Sequence, residues 1–188
     1  MAKRKNRVML IILIILLLMG INFKTIVKFA YPLKYEEYVI RYSSKYNVDP
    51  YLVISVINTE SKFNEKAISS KGAYGLMQIM PETGQWISQY VGISPFNVDM
   101  MYDPEISIKM GCWYLNNLSK EFNGNTELIL AAYNGGRGNV NKWLSNEEYS
   151  KDGKTLHNIP FKETEEYVRK VKFSYKIYKL LYNLNENP

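Results

Sequence analysis

A carboxylate on the apolar face of a short predicted helix is the side chain best suited to chemistry in this chain. Asp49-Pro50 predicts a helix start, with Asp as the N-cap and Pro at the first helical position. At 100° per residue, Glu60 falls on the same stripe as Val53 and Ile57. Burial and the negative end of the helix dipole both raise the pKa of a carboxyl, and a raised pKa suits a general acid. On helix geometry alone, Glu60 is equally well a helix-end side chain that reaches water.

The segment from Glu60 to Pro81 surrounds this carboxylate with glycines and one amide. Gly72 and Gly75 bracket Ala-Tyr, and Gln78 then stands alone among Leu, Met and Ile residues. Glycine lets the backbone approach a ligand closely, and an amide among apolar neighbours needs a hydrogen-bonding partner. The segment therefore predicts a binding loop directly after the candidate acid.

Four ordered blocks of residues resemble the soluble-lytic-transglycosylase (SLT) domain family. They are Glu-Ser-x-Phe from Glu60 with Ala-x-Ser from Ala67, then Gly-Ala-x-Gly-Leu-Met-Gln-Ile-Met-Pro from Gly72, and the later stretches 131–136 and 159–168. The resemblance covers roughly residues 35–182. It implies an all-α, lysozyme-like (goose-type) domain and cleavage of peptidoglycan.

Carried over by position, the resemblance implies that Glu60 is the single acid/base. It would protonate the bridging oxygen of the MurNAc–GlcNAc β-1,4 bond and then take the proton of the muramic acid 6-hydroxyl, leaving a 1,6-anhydro sugar. Tyr167 would hydrogen-bond Glu60 and fix its rotamer. Glu163 would bind the glycan or its peptide stem, and the remaining groove residues would be Ser69, Gln78, Met80, Tyr133 and Asn134.

Three of these residues have simpler structural interpretations. Glu163 is also typical of a helix N-terminus, Asn134 of a helix C-cap and Met80 of a core position. No cofactor and no metal is expected, because the chemistry needs only a proton and the sequence offers no cluster of metal ligands.

Composition excludes several other classes of function. The net charge is +6, but the first seven residues supply four of these charges, and the remaining 20 basic and 18 acidic residues nearly balance. Such a balance gives no basic groove for nucleic acid. Cys112 is the only cysteine, so an intramolecular disulfide is impossible, and a packing role is the simplest for it and for Trp113. We expect a monomer that binds peptidoglycan glycan strands, with other cell-wall or secretion machinery as further candidate partners.

The N-terminus indicates a membrane anchor. A basic start precedes the apolar run Val8–Ile21, and Lys24 and Lys28 are placed to reach the outer interface. No small-x-small cleavage site follows, so we interpret residues 1–30 as an uncleaved signal anchor and residues 31–188 as a catalytic domain outside the cytoplasm. The alternative is a secreted protein released by signal cleavage.

Helical periodicity dominates the rest of the chain. The predicted helices are 32–46, 50–60, 81–90, 103–122, 126–133, a short turn at 139–144, and 164–183. Two other functions compete with a lytic transglycosylase: a hydrolase of the same fold, in which water attacks, and a wall-binding module without activity.

Overall fold

The computed structural model describes Lys5, Arg7, Met9, Gly20 and residues 24–184. The chain divides into two compact units, Met1–Leu33 and Lys34–Pro188. In the first unit residues 24–30 are helical. Among the residues described, none of the helices combines the length and apolarity needed to span a bilayer. Apart from Met9 and Gly20, the run Val8–Ile21 that predicts an anchor lies outside the described residues.

Helices make up the regular structure of the described part of the second unit, as predicted. In chain order they are α1 (Glu36–Tyr46), α2 (Pro50–Glu60), α3 (Pro81–Val91), a 3-10 helix (Val98–Tyr102), α4 (Pro104–Glu121), α5 (Thr126–Gly135), α6 (Arg137–Leu144) and α7 (Lys162–Leu181). Between α2 and α3 the chain forms two isolated antiparallel bridges, which pair Tyr74 with Ile68 and with Ile79.

Side-chain caps explain where several of these helices begin. Asp49 accepts a hydrogen bond from the backbone N–H of Tyr51 at 2.8 Å, and Asp103 caps α4 in the same way. The predicted start of α5 at residue 126 is confirmed. The Asn125 side chain accepts from the first backbone N–H groups, and Thr126 takes the first helical position.

Contacts between helices bury the core of the second unit. α4 packs against α1, α3 and α5, while α7 lies along α2 and α5. The fully buried side chains on these helices are mainly aliphatic and include Ile54, Ile57, Ile108, Met110, Leu115, Leu118, Leu130 and Tyr178. This core fixes the C-terminal end of α2, where Glu60 lies, against the first half of α7.

Candidate active site

Glu60 is the last residue of α2, at the edge of the core. Val53, Val56 and Ile57 on the preceding turns are completely buried, so their stripe directs this end of the helix towards the interior. Glu60 itself remains partly exposed. The sequence-predicted position of the carboxylate, on the apolar face at the helix end, is confirmed.

The electrostatic environment of Glu60 raises the pKa of its carboxyl into the neutral range. Burial is the largest cause and, with the negative charge of Glu163, raises the pKa of the Glu60 carboxyl to about 7. The Tyr167 hydroxyl opposes this and lowers the pKa of Glu60 by a smaller amount. A carboxyl with a pKa close to 7 can both give and take a proton at that pH.

Two tyrosines from different helices accompany the carboxyl. Burial and the nearby Glu60 charge raise the pKa of the Tyr133 and Tyr167 hydroxyls well above its usual value, so both stay protonated. The Tyr133 hydroxyl donates to the backbone oxygen of Met77 at 2.8 Å. Tyr133 therefore ties α5 to the loop after α2, beside the candidate acid.

The predicted hydrogen bond from Tyr167 to Glu60 is not fully formed. The Tyr167 hydroxyl is buried and completes no hydrogen bond within the described chain, although it interacts with the Glu60 carboxyl closely enough to lower its pKa. The hydroxyl is a donor that a small shift of the carboxylate or a ligand would satisfy.

The loop between α2 and α3 is held by the two polar side chains that the sequence singles out. The Gln78 amide donates to the backbone oxygens of Gly75 at 2.9 Å and Ala67 at 3.2 Å, which leaves its oxygen to accept. Ser69 accepts from the backbone N–H of Ala73 at 2.9 Å. Both residues shape the loop, as the lone amide among apolar neighbours predicts, and each retains one group for a ligand.

Gly75 is required where this loop meets the core. Its φ is +73°, and a Cβ atom there would lie 2.0 Å from the backbone oxygen of Met101. Any side chain would therefore push the loop away from the 3-10 helix. The glycine in the sequence signature sets how closely the loop approaches the core.

The first turns of α7 carry three contacts to the site. The Glu163 carboxylate pairs with Lys71 Nζ at 2.7 Å, and the Thr164 hydroxyl donates to the Asn134 side-chain oxygen at 2.8 Å. Tyr167 follows one turn after Glu163 on the same side of the helix. α7 is thus joined to the loop after α2, to the end of α5 and to the candidate acid.

The structure brings three of the predicted site residues next to Glu60. Tyr133, Glu163 and Tyr167 act directly on its charge or are acted on by it. Asn134 accepts a hydrogen bond from Thr164, the residue after Glu163. Ser69 accepts from the backbone N–H of Lys71, which pairs with Glu163, and Gln78 follows Met77, whose backbone oxygen accepts from Tyr133. Met80 is 37% exposed at the start of α3 and is therefore not a core residue.

Sequence reasoning missed Lys71 and Thr164. Lys71 lies in a polar turn, and Thr164 reads as a helix start. No local signal identifies their partners, because these lie 92 and 30 residues away in the chain.

A family comparison identifies this arrangement. The family model described as "Transglycosylase SLT domain" matches residues 37–156. The chain belongs to this family. The match begins in α1 and includes Glu60, the loop after α2, and the Tyr133-Asn134 pair.

Curated relatives from several bacteria carry corresponding names. The chain is 35% identical over 143 residues to the "Soluble lytic murein transglycosylase" of Escherichia coli K12, which covers 75% of this chain and 22% of that protein. It is 34% identical over 125 residues to the "Membrane-bound lytic murein transglycosylase C" of Edwardsiella ictaluri, covering 61% of this chain and 34% of the relative. The chain therefore spans about a fifth to a third of the length of these relatives.

Solved structures share the fold. The crystal structure of the 70 kDa soluble lytic transglycosylase from Escherichia coli matches with a TM-score of 0.71 and 32% identity, over 80% of this chain and 25% of that one. An inactive mutant of the lytic transglycosylase Slt from Pseudomonas aeruginosa matches with a TM-score of 0.69 and 30% identity, over the same shares. The second unit thus has the lysozyme-like helical fold that the resemblance implies.

Proposed function

We propose that this protein is a peptidoglycan lytic transglycosylase that uses Glu60 as its single acid/base. The observation that carries the proposal is the Glu60 carboxyl, which is largely buried, has a pKa of about 7 and stands where the family signature begins. The names of the soluble and membrane-bound relatives support the same activity.

In the first step, Glu60 gives its proton to the oxygen that bridges MurNAc and GlcNAc. The C1–O bond breaks through a transition state with oxocarbenium character, and the leaving sugar departs as an alcohol. Burial serves this step, because it keeps the carboxyl protonated at a pH at which an exposed glutamate would have lost its proton.

In the second step, the Glu60 carboxylate takes the proton of the 6-hydroxyl of the same muramic acid. The freed oxygen bonds to C1 and closes the 1,6-anhydro ring, so no water is consumed and the carboxyl regains its proton. The Tyr167 hydroxyl supports this step as a donor that favours the ionised form of Glu60.

The groove roles are part of the same proposal. Three polar groups of the groove residues are left to bind a ligand once the structural hydrogen bonds are made. They are the Gln78 oxygen, the Ser69 hydroxyl hydrogen and the Asn134 amide nitrogen, and they suit sugar hydroxyls and acetamido groups. The Tyr133 ring and Met80 would contact the sugar faces. Glu163, when released from Lys71, would bind the glycan or its peptide stem.

Product analysis tests the reaction. Purified protein is incubated with peptidoglycan, and the released muropeptides are analysed by mass spectrometry. A transglycosylase gives 1,6-anhydro-MurNAc ends, which are lighter by one water than the reducing ends left by a hydrolase. Reducing ends alone would replace the proposal with a lysozyme-type hydrolase, and no release would indicate a wall-binding module.

We further propose that residues 1–30 anchor the chain in the cell membrane and that residues 31–188 form the catalytic domain outside the cytoplasm. The basic start and the apolar run that follows support this orientation, because positive charges favour the cytoplasmic side. A catalytic domain held there would meet the glycan strands of the wall.

A further inference from the structure

Aromatic rings lead away from the neighbourhood of Glu60. The Tyr133 ring centre lies 5.4 Å from that of Tyr114 on α4, and Tyr114 lies 6.3 Å from Trp86 on α3. Trp86 is in turn 5.0 Å from Trp113, again on α4. These spacings are those of rings in direct contact.

The series ends at Tyr90 on the surface of α3. Tyr90 stacks on Trp113 with ring centres 4.9 Å apart and an interplanar angle of 20°, and it is 59% exposed. Trp86 and Trp113 are partly exposed as well. We call Trp86, Tyr90, Trp113 and Tyr114 the aromatic surface.

Core packing of α3 does not require these aromatic residues. The buried face of the helix is formed by Gly84, Ile87 and Val91, whereas Trp86 and Tyr90 share a different face one turn apart. An exposed tyrosine stacked on a half-exposed tryptophan leaves apolar area that the fold itself does not cover.

The polar groups around the aromatic surface suit an uncharged ligand. Glu82 is the only charged residue in α3, and Gln85 and Gln89 are exposed on the same helix. The charges that act on Tyr114 are Arg137 and Glu121, which neutralise each other in an ion pair at 2.9 Å. Nucleic acid or an anionic lipid surface would require lysines and arginines here. Aromatic faces beside amide side chains instead match sugar rings, which offer C–H groups to a ring face and hydroxyl or acetamido groups to an amide.

We propose that the aromatic surface binds the glycan strand of peptidoglycan beyond the sugars at the cleaved bond. The proposal rests on the proposed function, because Tyr133 makes the aromatic surface continuous with the candidate active site. Long strands would gain contacts there that short strands cannot reach.

Tyr90→Ala tests this in the full chain, solubilised in detergent. The matched control is Phe173→Ala on α7, which removes an aromatic ring with 57% exposure. The substrates are glycan strands freed of peptides by an amidase and separated into short and long fractions. We expect Tyr90→Ala to lower kcat/KM on long strands roughly threefold to tenfold, the range of one aromatic contact. Short strands should be cleaved as by the wild type, and Tyr90→Phe should restore long-strand cleavage.

Several results would overturn the proposal. A loss equal on short and long strands would mean that Tyr90 acts through the fold, and a loss no larger than that of Phe173→Ala would mean that the ring binds nothing. Dissociation of a dimer by Tyr90→Ala in sedimentation would assign the surface to a second copy, and loss of binding to neutral lipid vesicles alone would assign it to the membrane.

Binding in the Glu60→Gln background separates this proposal from the proposed function. Trp86 and Trp113 are fluorescent reporters within the aromatic surface. Suppose the wild type cleaves neither fraction, but long strands still change this fluorescence and Tyr90→Ala abolishes the change. Glycan binding by the aromatic surface is then supported and the proposed activity is refuted. If the wild type cleaves both fractions and long strands do not change the fluorescence, the activity is supported and glycan binding by the aromatic surface is refuted.

Discussion

Glu60 joins two properties that a single acid/base needs, since the pKa of its carboxyl is raised to about 7 and its side chain is partly exposed to a ligand. Replacing it by Gln keeps the shape but removes the proton. We expect Glu60→Gln to lower the release of anhydro-muropeptides by at least about 10²-fold, the lower end of what general acid–base catalysis contributes. A variant that keeps more than roughly a tenth of wild-type activity would assign the acid to another residue.

The same substitution should change how stability depends on pH. The pKa of Glu60 is about 7 in the folded chain and 4.5 when unperturbed, so its contribution to stability is full below about pH 4.5 and is lost as the pH rises through about 7. Gln does not titrate. Above pH 7 we therefore expect Glu60→Gln to be more stable than the wild type, by roughly 1–3 kcal/mol in urea unfolding. A less stable variant at that pH would show that Glu60 is a structural residue.

Tyr167 modulates the acid through a contact that is not a complete hydrogen bond. Because its hydroxyl lowers the pKa of Glu60, Tyr167→Phe should raise that pKa. The decline of kcat/KM with rising pH should then move to higher pH, with lower turnover at the optimum. Tyr175→Phe is the control on the same helix, because its hydroxyl bonds Asp49 at the far end of α2. A wild-type profile in Tyr167→Phe would restrict Tyr167 to packing.

The loop between α2 and α3 depends on a close approach at one glycine. Gly75 and Gly72 both have positive φ, but a Cβ atom at Gly72 would meet no atom within 4 Å. Gly72→Ala should therefore lose only about 1 kcal/mol of stability, the cost of the backbone conformation. Gly75→Ala should lose at least about 2 kcal/mol more, because it also collides with the Met101 backbone. Equal losses in urea unfolding would show that the loop moves aside freely.

The ion pair between Lys71 and Glu163 links this loop to α7. The Lys71 charge also partly neutralises the Glu163 carboxylate, which acts on Glu60. Lys71→Met leaves Glu163 uncompensated, and Glu163 raises the pKa of Glu60. We expect the pH–rate profile to move towards higher pH, an effect removed by adding Glu163→Gln and weakened by salt. Lys66→Met is the control, since Lys66 lies in the same loop but over the Tyr102 ring. An equal shift from Lys66→Met would indicate a general charge effect.

Among the helices and loops, the sequence predicts those boundaries that are set by residues within the same turn. The start of α2 follows from Asp49 and Pro50, which act within their own turn. By contrast, α1 begins at Glu36 and not at the predicted Pro32, because Tyr35 adopts a left-handed backbone that no local pattern indicates. Contacts between distant segments, such as the Tyr133 hydroxyl with the Met77 backbone, depend on packing that a single sequence does not specify.

For the molecule as a whole, the candidate active site is predicted better than the surface around it. The family signature marks Glu60 and the loop after it, since these residue types suit the proposed chemistry. Trp113 illustrates the limit: its helical spacing predicts packing, yet it is partly exposed and stacks on exposed Tyr90. Periodicity assigns a residue to a face of a helix, but it does not reveal whether another helix covers that face.

The N-terminal segment should determine where the whole protein acts. If residues 1–30 are an uncleaved anchor, the full chain should sediment with membranes and resist extraction by high salt and by alkaline carbonate, because a spanning segment is held by apolar burial and not by charge. The control is a chain in which Leu16, Leu17 and Leu18 are replaced by Arg, which keeps the length but makes insertion unfavourable. It should be released from the membrane fraction by salt. A soluble extracellular form beginning near Tyr31 would instead show that a signal peptidase cleaves the segment, and the protein would then reach the wall by secretion.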